Sequence, residues 1–405
     1  MIEIVFLIVA VLLIIFGKEN SVFVLSLLWS SFSLPFFVIS QSEIGLLSTL
    51  VEAVGVLAII KVFIKVQVSK TSLFFVFVLS ILYLAIGLLM ALGGQSVMII
   101  LLAAKLFLLP IIFGLYGFVQ VNSQIRLFVV MFTLQIINLI AASVQSLLGP
   151  TRLQSIGLDY GTNVRTFDSI LRAPGLTLTN YYLGSFSAVC FALAYTQLFT
   201  QKMQLSNKYT ILIKTSMFSS LICLLLSSFR SGILFVLVFV LFTEMFVKRN
   251  LTKLSIVVAL GSAIIIFAVS NSFFLVNSQS ASERFLRWEN LFHGEYLFYG
   301  QGLGSSGAAS LSSYASLDSK VVTDNQYLSA LYQCGVVGLI LLILLLLYLF
   351  TATDKSGKAF LVSLSSIMFF IEAWDFTLMM SVCFIVVFNG IRLRNSNEKE
   401  NFLSD

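Results

Sequence analysis

The sequence predicts an all-α polytopic integral membrane protein, and three observations carry that prediction. Of 405 residues, 59% are hydrophobic and 10% are charged, whereas soluble domains carry about a quarter charged residues. Apolar runs close to the ~20 residues that an α-helix needs to cross a hydrocarbon core recur along the chain. Lysines gather in short connections that fall on one side if successive runs cross in alternate directions. Backbone groups in lipid must be satisfied within the spanning element, and the alternation of a membrane barrel is absent, so the runs are helices.

Taken in order, helices are expected at 2–16, 21–39, 44–60, 72–92, 97–117 and 126–148. A polar loop follows, then helices at 181–200, 209–227, 232–247 and 254–274. After a second long loop come 327–350, 358–371 and 376–391. The first is short and the last two are closely spaced, so about 12 to 14 crossings are expected, in a single membrane domain spanning 1–405. Met1 to Phe16 has no basic n-region and no small-residue cleavage site, so no cleaved signal peptide is expected there.

Orientation follows from the basic residues. Lys61, Lys65 and Lys70 lie in one connection, Lys202 and Lys208 in another, and Lys248, Arg249 and Lys253 in a third. Lys355 and Lys358 fill a fourth, and Arg392, Arg394 and Lys399 the C-terminal segment. The positive-inside rule makes that side cytoplasmic. The net charge of +6 is read as these loops, and no nucleic-acid partner is expected. The two long loops, about 149–180 and 275–326, are separated by four helices and share the opposite, external face. Cys190, Cys223, Cys334 and Cys383 sit in or beside apolar segments at spacings that fit no metal pattern, and are expected to pack.

The external loops break the positive-inside pattern. The first holds Arg152, Arg165 and Arg172 with Asp159 and Asp168, and the turn Ser227–Gly232 sets Arg230 at a helix start. The second adds Arg284 and Arg287. A phosphorylated anion suits the guanidinium fork best. The alternative is pairing with Asp159, Asp168, Glu283 and Glu289.

The chain is organised around residues 280–350, a polar island joined to a long apolar helix. Ser280-x-x-Glu283 has the form of a capping box and predicts a short helix from Glu283 to Phe292. Phe285, Trp288 and Phe292 would share its apolar face, as in helices that lie on a membrane surface. Near the loop's end Thr323 or Asp324 is expected to begin the next spanning helix, with Asp324 at its external mouth. Gly302-Leu-Gly304-Ser-Ser-Gly307 matches G-x-G-x-x-G, but no strand precedes it and no dinucleotide site is expected. His293 is the one histidine, which leaves little for a metal cluster or a Ser-His-Asp triad. Glu52 and Lys105 fall mid-helix, where charges are either functional or paired.

Four segments together resemble the bacterial O-antigen polymerases and the related O-antigen ligases. They are Arg172-Ala-Pro-Gly175-Leu-Thr-Leu-Thr-Asn180, Ser227-Ser-Phe-Arg230-Ser-Gly232, Arg287-Trp288 with Gly300-Gln-Gly302-Leu-Gly304, and Asp324-Asn325-Gln-Tyr327-Leu328 with Gly335-Val-Val-Gly338. The likeness spans about 97–350. It implies a membrane-embedded GT-C-type glycosyltransferase, without metal or other cofactor, that uses a glycan on undecaprenyl pyrophosphate. The acceptor would be the terminal sugar of another lipid-linked repeat unit, and a chain-length regulator is an expected partner. Arg172, Arg230 and Arg287, with Arg284 in reserve, would stabilise the pyrophosphate, and Asn325 and Tyr327 would contact substrate. The ligases have a histidine where this chain has Asp324, which favours a polymerase. Asp324 either takes the acceptor proton or caps the helix. A ligase with a different acceptor and a lipid-linked oligosaccharide transporter are the alternatives, although no internal repeat of the kind common in transporters is visible.

Overall fold

The computed structural model describes residues 18–29, 44–64, 70–92, 94–119, 121–155, 157–158, 160, 164–167, 170–177, 179–200, 206–249, 286, 288–289, 296–311 and 321–404. The expected helices 2–16 and 254–274 lie outside them, as do Lys65, Lys202, Lys253, Arg284, Arg287 and His293. Eight described helices are long and apolar enough to cross a membrane. The chain is therefore a helical, multi-pass membrane protein by the length and composition of its helices.

In chain order the helices are α1 (Glu19–Trp29), α2 (Ile44–Ile64), α3 (Lys70–Ala91), α4 (Val97–Gly114) and α5 (Val121–Ser155). A two-stranded antiparallel hairpin follows, β1 (Arg165–Phe167) and β2 (Ile170–Arg172). Then come α6 (Asn180–Phe199), α7 (Asn207–Ser227), α8 (Arg230–Phe242), the single turn α9 (Tyr296–Tyr299), α10 (Gln326–Ala352), α11 (Lys355–Ile367) and α12 (Thr377–Ser404). The hairpin is the one departure from the all-α expectation among the described residues. α11 has 13 residues, too few for the ~20 of a perpendicular crossing. The expected helix 376–391 runs on to Ser404, so Arg392 and Arg394 lie within it rather than after it.

The chain divides into two compact units. The first comprises Met1–Gln67, Ile112–Val236 and Ser381–Phe388. There α1 packs on α2, and α7 packs on both α5 and α6. Phe23 stacks on Tyr116 at 4.3 Å between ring centroids and meets Phe113 edge-on at 5.3 Å. α5 bends where Gly149 leaves helical geometry (φ 77°, ψ 174°) just before Pro150, which has no N–H for the helix ladder. The residues beyond the bend form a small cluster of their own from Leu153, Leu158, Val164 and Leu171.

The second unit comprises Val68–Ile111, Leu237–Met380 and Asn389–Asp405. Its spine is α10, which packs along α3 and against α9 and α11. α10 breaks at Gly335 (φ 65°, ψ −168°), where an added Cβ would stand 2.2 Å from the Phe298 carbonyl oxygen. That close approach lets the loop before α10 fold back onto the helix. At the far end of α10, Arg394 donates to the Thr351 carbonyl and Lys358 lies over the Phe350 ring. The polar loop and these basic residues thus occupy opposite ends of a helix ~40 Å long.

Candidate functional site

Two polar clusters are built from the segments singled out in the sequence, one in each unit. In the first unit the segment 172–180 docks on the turn between α7 and α8. Ala173 N–H donates to the Leu226 carbonyl at 3.0 Å, and Asn180 Nδ2 donates to the Ser227 carbonyl at 2.9 Å. From the other side α5 holds the same segment by its amides. Gln145 exchanges two 2.7 Å hydrogen bonds with the backbone of Gly175, and Asn138 Oδ1 accepts from Leu176 N–H at 2.9 Å. Buried backbone groups of an irregular segment must be paired, and here amide side chains do it. Arg172 and Arg230, both half-buried, adjoin these bonded segments, Arg172 beside Ala173 and Arg230 at the start of α8. The hairpin register sets Arg165 directly opposite Arg172, a like-charge arrangement that costs stability unless something offsets it. Arg165 is steadied by Tyr181, whose hydroxyl it bonds and over whose ring it lies at 4.7 Å.

In the second unit the glycine run packs on α10 and α3. Gly302 N–H donates to the Gln333 carbonyl at 2.9 Å, Leu303 N–H to the Gly87 carbonyl at 2.8 Å, and Gly304 N–H to Gln333 Oε1 at 2.9 Å. Gln333 Nε2 donates to Ser306 and Ser329, whose hydroxyls bond each other at 2.6 Å. The glycines of the G-x-G-x-x-G pattern thus bring the loop backbone against α10 and α3.

The start of α10 corrects the expected cap. Asn325 is the N-cap, and its Oδ1 accepts from Tyr327 N–H at 2.9 Å and Leu328 N–H at 3.1 Å. Asp324 sits one residue outside, half-buried, in left-handed geometry (φ 49°). With capping supplied by Asn325, the helix start does not require the Asp324 carboxylate. Asn325 and Tyr327, expected to contact substrate, both make hydrogen bonds within the protein, and Tyr327 donates its hydroxyl to the Ser365 carbonyl at 3.1 Å. Trp288, the expected neighbour of Arg287, donates its indole N–H to the Thr323 carbonyl at 2.7 Å.

Sequence reasoning missed the centre of this cluster, the turn between α11 and α12. Glu372 Oε1 accepts from both Thr323 N–H (2.7 Å) and Thr323 Oγ1 (2.6 Å), and Asp375 Oδ2 accepts from Ala308 N–H at 3.0 Å. Both carboxyls line a small cavity with Tyr83, Gln326, Ser329 and Trp374. Burial pushes the Glu372 carboxyl up to about 7, a shift that Thr323's hydrogen bonds oppose and the Asp324 charge reinforces. Burial and then the Glu372 charge push Asp375 well above the ordinary carboxylate range.

Compared with protein-family models, curated proteins and solved structures, the chain matches none. What it offers about function rests on its own residues. Among the described residues no group of three or more His, Cys, Asp or Glu side chains is arranged to hold a metal ion. The four cysteines are free and buried, as their apolar settings predicted. Glu52 is buried on α2 and Lys105 half-buried on α4. The signal that could have revealed Glu372 and Asp375 is two acids three residues apart inside Phe369–Phe376, a connection that is otherwise apolar.

Proposed function

We propose that this chain is a polysaccharide polymerase of the membrane-embedded, metal-independent GT-C type. It transfers a growing glycan from undecaprenyl pyrophosphate to another lipid-linked repeat unit on the external face of a bacterial cytoplasmic membrane. The observation that carries the reading is that the four segments resembling O-antigen polymerases are joined in pairs. Residues 172–180 bond the turn 226–230, and 300–304 bond α10, whose start bears Asp324. In this reading the acceptor hydroxyl oxygen attacks the anomeric carbon of the donor glycan. The bond from that carbon to the pyrophosphate oxygen breaks, and the lipid pyrophosphate leaves with the electron pair. Arg172 and Arg230, with Arg287 and Arg284, stabilise the charge that builds on the leaving group. Asp324 takes the hydroxyl proton. The aspartate at the position where the ligases have histidine favours a polymerase over a ligase.

Purified protein given a defined lipid-linked repeat unit should yield a ladder of products. Transfer only to a different acceptor would make it a ligase, and no transfer would favour the transporter. The outward orientation has its own check. Ser155→Cys at the end of α5 and Leu311→Cys in the second loop, both at exposed positions, should react with an impermeant thiol reagent in intact cells. The four native cysteines are buried and should stay silent. Labelling at only one position would break the topology.

A further inference from the structure

We propose that Glu372 and Asp375 form a shared-proton latch that positions Asp324 at the start of α10. The clause about Asp324 rests on the polymerase reading; the latch itself does not. Gly307 has φ +78°, and a Cβ built there would stand 2.2 Å from Glu372 Oε2 and 3.4 Å from both carboxylate oxygens of Asp375. The two carboxyls therefore converge on one backbone point, which only a glycine leaves open. Each also holds a different strand of the loop. Glu372 grips Thr323, the residue before Asp324, and Asp375 grips Ala308 in the glycine run. Gly307 N–H and the Ser310 hydroxyl both donate to the Val321 carbonyl, tying the two strands together.

Two carboxylates this close and this buried cannot both ionise cheaply, so they keep a proton between them. The groups facing them are few. The 300–311 loop has no ionisable side chain, α3 brings Tyr83, and α4 bears the half-buried Lys105 beside the cavity-lining Leu106. α10 contributes Tyr327 and Cys334, and the junction contributes Asp324 itself. The latch is closed at low pH and strains as pH rises, because the folded state binds the proton more tightly than the unfolded chain does. Stability contributed by the bound proton is whole below the ordinary carboxylate value of 4.5 and is lost as pH climbs through about 7.

The test needs no substrate. The full chain in lipid nanodiscs carries Trp29→Phe, leaving Trp288, bonded to Thr323, and Trp374, in the cavity, as the fluorophores. Titrated from about pH 5 to pH 9, their emission should show one transition near pH 7 or above. Glu372→Gln and Asp375→Asn, each a neutral isostere, should abolish it. A transition that persists in both variants, or none in the parent, overturns the latch. In the transfer assay, Glu372→Gln should move the alkaline limb of the pH–rate profile, whereas a merely structural role would lower the rate equally at every pH. If the parent transfers nothing, the polymerase reading fails while the fluorescence still decides the latch.

Discussion

Replacing Asp324 with asparagine is expected to slow glycan transfer about 10²–10⁴-fold, the usual contribution of a general base. The substitution is conservative in every respect but proton affinity. The left-handed backbone at φ 49° is one that asparagine adopts as readily as aspartate. Asn325, not Asp324, caps α10, so the helix start stays intact. Thr323 remains held by Glu372, and Trp288 by Thr323. Single-turnover kinetics with a lipid-linked donor should therefore show a slow chemical step with donor binding unchanged. A near-parental rate would remove Asp324 from the chemistry and leave the polymerase reading standing. Because the Asp324 charge is one of the influences raising Glu372, the same variant should also draw the fluorescence transition to lower pH.

Arg230→Lys is expected to cost about 10²–10³-fold, the range seen when one fixed donor to a developing anion is lost. Lysine keeps the charge and is about as good a helix former as arginine, but it replaces a planar two-pronged donor by a single flexible ammonium. The site is rigid enough for that difference to tell. Phe229, just before Arg230, is buried and meets Tyr181 edge-on at 5.9 Å. Ser228, the residue before Phe229, is itself in left-handed geometry (φ 51°). Product ladders of normal length from Arg230→Lys at normal expression would show that charge alone suffices or that the pyrophosphate is held elsewhere.

Composition and hydropathy are enough to predict the class of the protein and most of its helices. Hydrocarbon leaves the backbone one inexpensive solution, so long apolar runs predict helices without tertiary help. The described helices α2 to α4, α6 to α8 and α10 begin or end within two residues of where those runs do, whereas α5, Val121–Ser155, overruns its expected 126–148 at both ends. The turn at Arg230 and the loop–helix junction at Asp324 are legible too, because arginine, glycine and aspartate are conspicuous against an apolar background. What those residues touch emerges only when the helices and loops pack together. The cap passed from Asp324 to Asn325 because it is set by backbone dihedrals, to which residue type is a weak guide when Thr, Asp and Asn stand in a row. Arg392 and Arg394 proved helical because the helix runs past the apolar limit that hydropathy detects. Gln145, Asn138 and Gln333 read as ordinary helical amides, and their roles appear only when irregular backbone packs against them. Glu372 and Asp375 lie 49 and 67 residues from the groups they bind, Thr323 and Ala308. No local pattern reports contacts at that separation, since they arise from the packing of helices that pattern alone cannot arrange.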